Sequence, residues 1–279
     1  IEKSNARIVI FGVASESKVA EEVISLTKNI DQISNLAGKT NLSELAQLLE
    51  KCDYLVTNDT GTMHLAAAMG TKIVGLFFAH AHPYETAPFS PGHLIFQAGI
   101  SCAPCSYGVH CNNIVCVDKV RPQHLFSVIE NHIKTQSWVL PEMIDQDSEV
   151  NVFETGFDFD MNFRLRPLVR YELAMNDLLR SAYTLLWRSV FTEKKDADRY
   201  MINGLCDNLS QEYDCSEIET IDEQLEKKYL ILEDISKRAH AGQKLCGKII
   251  NGSSGRKGNS HKMGQFGEAI TALDMELEV

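Results

Sequence analysis

The sequence predicts an α/β protein, in which a Rossmann-like parallel-sheet domain is followed by a mainly helical extension. Short apolar runs rich in β-branched and aromatic residues recur through the first 140 residues, and stretches with helical spacing lie between them. This alternation favours a parallel sheet that is covered by helices on both faces. The remaining residues lack the alternation and contain long amphipathic stretches instead. With 279 residues, 44% of them hydrophobic, the chain can bury a substantial core.

The predicted elements follow one another in strand–helix order. Buried strands are predicted at residues 7–12, 31–36, 54–57, 72–78 and 93–97. A helix is predicted over 17–29, and a second begins after Asn41, which forms a capping-box pattern with Glu44. Pro122 suits the first turn of a helix that runs to about residue 135.

Four segments are predicted from these patterns. Residues 1–140 form the Rossmann-like domain, 141–156 an acidic linker, 157–250 the helical extension, and 251–279 a flexible linker with a short terminal helix. Within the extension, we predict one strand or extended arm over 157–166 and long helices over 168–191 and 217–250.

The charge distribution restricts the function. The formal net charge is −11, and the first 140 residues contribute −2 of it, from 10 basic and 12 acidic residues. A nucleic-acid-binding protein would show a basic stripe, so no nucleic-acid partner is expected. No apolar run reaches the length of about 18 residues that a membrane span needs. Because Ile1 almost directly precedes a strand, we expect the chain to be a part of a longer protein.

The segment NDTGTMHLAAAMG, which starts at Asn58, connects two predicted strands as a turn and an alanine-rich helix. Ligands favour the carboxyl end of the first strand of such a βαβ unit, and the amide groups of a helix N-terminus bind phosphate. We expect Asp59 or Thr60 to cap the helix by accepting an N–H from Thr62 or Met63. His64, in the first helical turn, could donate a hydrogen bond to the phosphate. The alternative is that this turn only caps a helix.

The same residues carry a resemblance. DTGTMHLAAAMGTKIVGLF resembles the donor-site signature of glycosyltransferase family 9, the lipopolysaccharide heptosyltransferase-like enzymes. The upstream segments FGVASESKVAEEV and LAGKTNLSELAQLLEKCDYLVTND are also similar to that family, and the match covers about residues 5–135.

This resemblance implies the second, nucleotide-sugar-binding half of a GT-B fold. It implies that the donor, usually an ADP-heptose, is bound by Asp59, Thr60, Gly61, Thr62, Met63, His64 and Glu16. His64 would contact and stabilise the diphosphate leaving group of an inverting transfer, Asp59 would hold the loop, and Glu16 would lie near the ribose. For Glu16, an exposed glutamate at a helix start is the alternative. No cofactor is required for this chemistry.

Three departures from the family pattern qualify the resemblance. Lys72 stands where the family commonly has proline, and Phe78, Ala79 and His80 replace its Gly-Pro-Thr, which places His80 and His82 beside the sugar pocket. The family's amino-terminal acceptor domain, which supplies the general base, is expected to lie outside this sequence. The catalytic base is therefore unassigned.

The family resemblance also implies partners and a location. The acceptor would be a glycan such as the lipopolysaccharide core, and the enzyme would act in the cytoplasm, at the inner face of the cytoplasmic membrane. Self-association through the helical extension is a further expectation. Two alternatives stay open: a non-catalytic nucleotide-sugar-binding module, and another GT-B-like sugar-nucleotide enzyme such as an epimerase.

Four of the eight cysteines are close together in the sequence, at Cys102, Cys105, Cys111 and Cys116. Four thiolates at this spacing could hold a structural zinc, and His110 could replace one of them. The alternative is a loop of reduced cysteines, because a chain of this size is not a small disulfide scaffold and we expect a reducing compartment.

Overall fold

The computed structural model describes residues 6–27, 30–145, 149–158, 161–191, 209–210 and 212–215, together with separate positions between 223 and 244. The chain divides into two compact units, the first formed by residues 1–173 and 183–216, the second by 174–182 and 217–279. The first unit contains all the strands described below, and the predicted terminal segment 251–279 lies outside the described residues.

The first unit alternates strands and helices up to residue 135. Its strands are β1 (Ile8–Ile10), β2 (Ile33–Asn35), β3 (Tyr54–Asn58), β4 (Lys72–Phe77), β5 (Leu94–Ala98), β6 (Val150–Phe157) and β7 (Phe163–Pro167). The α-helices of the chain up to residue 191 are α1 (Ser17–Ser25), α2 (Leu42–Leu49), α3 (Gly61–Met69), α4 (Pro83–Thr86), α5 (Val115–Lys119), α6 (Pro122–Thr135), α7 (Glu142–Asp145) and α8 (Met175–Phe191). Two 3-10 turns, Ala14–Glu16 and Ile30–Gln32, precede α1 and β2.

Local signals in the sequence fix several of these helices. Asn41 accepts the N–H of Glu44, whose carboxylate accepts the N–H of Asn41, which confirms the predicted capping box of α2. Pro122 occupies the first turn of α6, and this helix ends at Thr135 as predicted. Gly70 ends α3 with a φ of 81°, a left-handed conformation that favours glycine.

Strands β3 to β7 form a mixed five-stranded sheet, one side of which is parallel. Strands β3, β4 and β5 are parallel neighbours, whereas β6 pairs antiparallel with β5 and β7 antiparallel with β6. Strands β1 and β2 form a separate parallel pair. The strands within residues 1–140 pair in parallel as predicted, and the sheet becomes mixed because β6 and β7, from residues beyond position 140, add antiparallel pairs.

Helices cover both faces of the five-stranded sheet. Side chains alternate along β4, so that Ile73 packs against α2 and α3, whereas Val74 packs with α6 on the opposite face. The first cluster contains Leu49, Met63, Ala66, Ile73, Phe77, Ala87, Ile95, Phe153 and Leu165. The second contains Val74, Leu94, Phe96, Val120, Val128, Trp138, Ile144, Val150, Val152 and Val169. This burial on both faces explains the continuous apolar runs of the central strands.

Residues 141–166 differ from the sequence prediction. The predicted linker 141–156 contains α7 and most of β6, so the sheet continues beyond the predicted boundary at residue 140. The predicted single strand over 157–166 is a hairpin instead, in which Phe157 pairs with Phe163. The Asp158 carboxylate accepts the backbone N–H of Asn162 at 2.8 Å, which closes the turn.

The helical extension is described only in part. Helix α8 occupies Met175–Phe191, and the separate described positions between 223 and 244 are helical. The extension as a whole stays a prediction. Within the part of the chain that the structure describes, no helix is both long and apolar enough to cross a membrane.

A buried histidine joins the amino-terminal ends of β4 and β5. His93 is 3% exposed, its Nδ1 accepts the N–H of Ile73 at 3.2 Å, and its Nε2 lies 2.6 Å from the Ser90 hydroxyl. Burial, and then the nearby Lys72 ammonium, lower the pKa of His93 to about 4. The neutral imidazole is therefore part of the fold.

We expect this histidine to make the first unit sensitive to acid. The unfolded chain binds a proton near pH 6.5 and the folded chain only near pH 4, so stability is full above pH 6.5 and falls as the pH drops towards 4. The loss is at most about 3 kcal/mol. Urea unfolding at pH 7.5, 5.5 and 4.5 measures it. The variant His93→Gln should flatten this pH dependence, whereas the control His110→Gln, at an exposed position, should not. If the unfolding free energy depends on pH equally in the native protein and in both variants, His93 is not the responsible group.

Candidate functional site

The candidate site lies where β3 ends and α3 begins. Because β3 and β4 are parallel neighbours, their carboxyl ends lie side by side at one edge of the sheet. The turn after β3 carries Asp59 and Thr60, and the connection after β4 leads to α4. The βαβ unit predicted from the sequence is thus present, with its polar turn at the edge where ligands of α/β proteins bind.

Helix α3 has an N-terminus without a side-chain cap. Thr60 occupies the N-cap position with φ −149° and ψ 164°, but its side chain makes no capping hydrogen bond. Its carbonyl accepts the N–H of Met63 at 3.0 Å. The predicted cap by Asp59 or Thr60 is therefore corrected, because Asp59 accepts a hydrogen bond from Thr86 Oγ1 at 2.7 Å instead.

The residues of the first turn of α3 divide between core and surface. Met63 is fully buried, and its side chain packs in the cluster with Leu49 and Phe77. Gly61 and His64 are exposed and Thr62 is half-buried. A Cβ built on Gly61 would meet no atom within 4 Å, so the space above this position is open. Of the first turn of α3, therefore, only Gly61, Thr62 and His64 are accessible at the surface.

Glu16 lies in the turn that follows β1. Its Oε2 accepts the N–H of Val13 at 2.9 Å, and a Cβ on Gly12 would come within 2.6 Å of the same oxygen. Gly38, which follows β2, donates its N–H to the Gly12 carbonyl at 2.8 Å. The two loops that share the family resemblance upstream are thus interlocked, and Glu16 stabilises its own turn from an exposed position.

The turn after β1 is also connected to the core beneath α3. Phe11, directly after β1, packs against the buried cluster that contains Met63. Side chains of the resemblance motifs therefore share one core, although no hydrogen bond of the described residues joins Glu16 to the turn at Asp59.

The cysteine cluster lies in the connection from β5 to α5. Cys102 and Cys111 are exposed, Cys105 is half-buried, Cys116 is buried in α5, and all four thiols are free. Burial, followed by the neighbouring thiolates of the other three, raises the pKa of Cys105. Among the described residues, no three His, Cys, Asp or Glu side chains are arranged to hold a metal ion. A zinc ion at these cysteines stays a prediction, and no step proposed below depends on it.

The cysteine loop contacts the turn that follows β4. The Cys105 N–H donates to the Ala79 carbonyl at 2.8 Å, where Ala79 has a φ of 54°. The rings of His80 and Tyr107 meet edge to face, with centroids 5.5 Å apart. Of the two histidines predicted beside the sugar pocket, His80 is exposed and His82 is half-buried against the Tyr84 ring.

The sequence did not indicate Thr86 or Tyr84 as site residues. Thr86 is 27 positions from Asp59, and no spacing rule connects a residue of α4 with the end of β3. Only the parallel pairing of β3 with β4 brings the start of α4 close to the end of β3.

Comparisons with known proteins agree with the resemblance. Residues 1–113 match the model of glycosyltransferase family 9 (heptosyltransferase). Lipooligosaccharide heptosyltransferase 2 of Haemophilus influenzae is 39% identical over 85 residues, which cover 30% of this chain and 24% of that protein. The protein of the same name from Campylobacter jejuni is 28% identical over 134 residues, covering 46% of this chain and 41% of its own.

One further relative and one solved structure are also heptosyltransferases. Lipopolysaccharide heptosyltransferase 2 of Salmonella typhimurium is 35% identical over 86 residues, which cover 30% of this chain and 24% of that protein. A solved structure, that of the ADP-heptose lps heptosyltransferase II of E. coli, has 26% identity and a TM-score of 0.39, and the match covers 47% of this chain and 37% of that one.

These matches confirm the resemblance: residues 1–113 are similar to glycosyltransferase family 9, and the similar relatives are heptosyltransferases. In these three curated relatives, the match spans between about a quarter and two fifths of their length.

We expect two glycines near the site to respond differently to alanine. Gly61→Ala adds a Cβ in open space within a helix, so the free energy of unfolding should stay equal or rise by about 0.4–1 kcal/mol. Gly75→Ala places a Cβ 2.9 Å from Ile95 Cδ1 and 3.2 Å from Phe77, so it should destabilise the protein by about 1–3 kcal/mol. Thermal and urea unfolding of the two variants measure this. A loss of stability in Gly61→Ala that matches that of Gly75→Ala would mean that the N-terminus of α3 is not open.

Proposed function

We propose that the first unit binds the nucleotide diphosphate-sugar donor of a family 9 glycosyltransferase, as the carboxyl-terminal half of a GT-B fold. The donor would be a heptose-like sugar linked to ADP, and the acceptor a glycan such as the lipopolysaccharide core. The names of the matched relatives support this class of substrates.

One observation carries the proposal: the uncapped N-terminus of α3 with His64 exposed in its first turn. The amides of a helix N-terminus carry about half a positive charge and favour an anion. The open space at Gly61 leaves room for a diphosphate to approach the backbone. Asp59, whose charge would repel the diphosphate, is engaged by Thr86.

The reaction would be an inverting transfer. A base deprotonates the acceptor hydroxyl, whose oxygen attacks the anomeric carbon, and the nucleotide diphosphate leaves with the electrons of the broken bond. The negative charge that develops on the leaving group would be stabilised by the α3 amides and by His64, a preorganised electrostatic role. In our proposal, the general base that deprotonates the acceptor hydroxyl comes from a part of the enzyme outside this chain.

Donor binding can be tested by a thermal-shift titration with ADP, UDP, GDP and ADP-heptose. A ligand that binds only the folded state stabilises it by about 2.7 kcal/mol at a hundredfold excess over its dissociation constant. We expect the adenine diphosphates to raise the midpoint most. His64→Ala should weaken their binding by about tenfold, because a hydrogen bond to a charged group is lost.

A matched control is His240→Ala, which removes an exposed histidine from the second unit and should leave the titration unchanged. Gly61→Ala should fold normally and bind less tightly, since its methyl group occupies the space proposed for the diphosphate. If no nucleotide diphosphate shifts the midpoint, the first unit does not bind the donor as proposed.

The products separate the competing functions. With ADP-heptose and a heptose-deficient lipopolysaccharide, a glycosyltransferase releases ADP in proportion to the acceptor that is modified. A binding module returns the donor intact, and an epimerase alters the sugar without releasing the nucleotide. Either of these two outcomes, obtained with the longer enzyme, would contradict glycosyl transfer.

A further inference from the structure

The side chain of Thr86 reaches the candidate donor site from a neighbouring strand connection. Its Oγ1 lies 2.7 Å from Asp59 Oδ2 and 3.3 Å from the carbonyl oxygen of His82. A threonine hydroxyl has one proton to donate. The shorter contact to an ionised acceptor is the stronger one, so the proton is donated to Asp59.

This hydrogen bond determines what Asp59 does. Aspartate is among the best side chains for capping a helix, and Asp59 stands one position before the N-cap of α3. In the structure its carboxylate is bound to Thr86, and Thr60 makes no side-chain cap either. While Asp59 is bound to Thr86, no side chain caps α3, and the amides of its N-terminus can bind another acceptor.

We propose that Thr86 is a positioning residue of the donor site, which holds the Asp59 carboxylate away from the N-terminus of α3. The inference rests on the proposed function, in which these amides bind a nucleotide diphosphate. Without the hydroxyl, Asp59 is free to turn towards the N–H of Thr62. It would then compete with the diphosphate for the amide and place a second negative charge beside it.

Thr86 can perform this role because packing against β6 and the segment at Tyr213 fixes the position of α4. Pro83 is buried in the first turn of α4, and the Tyr84 ring packs edge to face on Phe153 of β6, with centroids 5.7 Å apart. The hydroxyl oxygens of Tyr84 and Tyr213 lie 3.4 Å apart. Strand β6 and the segment at Tyr213 thus fix α4, and Thr86 with it, next to β3.

The segment around Tyr213 is itself anchored to the chain that follows β7. The N–H of Asp214 donates to the Tyr171 carbonyl, and the N–H of Leu173 to the Asp214 carbonyl, both at 2.8 Å. Arg164 donates to both carboxylate oxygens of Glu212 at 2.6 Å. The support of α4 therefore comes from residues well beyond the segment that matches the family.

The test compares Thr86→Val, which keeps the shape and removes the donor, with Thr86→Ser, which keeps the donor. Isothermal titration with ADP should give about tenfold weaker binding for Thr86→Val and near-native binding for Thr86→Ser, because one charge-assisted hydrogen bond separates them. Thr71→Val is the matched control. Its hydroxyl donates to the Leu49 carbonyl at 2.6 Å beyond the other end of α3, so its loss should lower stability without changing ADP affinity.

A double-mutant cycle shows whether Thr86 acts through Asp59. In the Asp59→Ala background, the Thr86→Val substitution should have no further effect on ADP binding, since there is no carboxylate left to hold. An equal loss of affinity in both backgrounds would overturn the proposal and indicate a general effect on folding or packing.

Hydrogen exchange of the nucleotide-free protein separates this inference from the proposed function. In Thr86→Val, the Thr62 amide should exchange more slowly than in the native protein, because Asp59 now accepts its hydrogen bond; Thr86→Ser should restore the native rate. If ADP fails to bind while this exchange pattern is found, the donor function is wrong and the positioning role stands. If the Thr62 amide exchanges at the native rate in Thr86→Val, the positioning role is overturned.

Discussion

The packing of α3 onto β4 is the constraint on which the candidate site depends. Met63 and Ala66 are fully buried against the sheet, and Gly75 leaves room for this close approach. One face of α3 is thereby fixed, and the helical period turns His64 outwards. The N-terminus of α3 is held at the carboxyl edge of β3, so its orientation results from burial of apolar side chains that never touch a ligand.

The polar residues of the site acquire their roles from neighbours in space. Asp59 and Thr86 belong to successive strand connections that lie side by side because β3 and β4 are parallel. The partner that Asp59 selects decides whether α3 presents free amides or a capped end. In our proposal, a single hydroxyl group thus links the architecture of the sheet to the electrostatics of the proposed anion site.

The part of the chain beyond the family match completes the same structural unit. Strands β6 and β7 extend the parallel core in antiparallel fashion, and Phe153 of β6 belongs to the core cluster that contains Met63. At the opposite end of the sheet, His93 and Thr155 join β4, β5 and β6 by buried hydrogen bonds. Polar groups are therefore buried at the end of the sheet that contains His93, whereas they lie at the surface at the end that contains the candidate site.

The sequence by itself determined the elements whose signals are local. The strands β3, β4 and β5, the capping box of α2, the start of α6 at Pro122 and the place of His64 in the first turn of α3 follow from patterns within a few residues. The tertiary structure alone decided the antiparallel place of β6, the hairpin around Asp158 and the partner of Asp59. Local propensity acts over one turn or one strand, whereas strand pairing and the competition for a carboxylate depend on which groups folding brings together. The uncapped N-terminus of α3 belongs to the second kind, because the sequence allows Asp59 to cap the helix and only the folded chain supplies Thr86 as its hydrogen-bond donor.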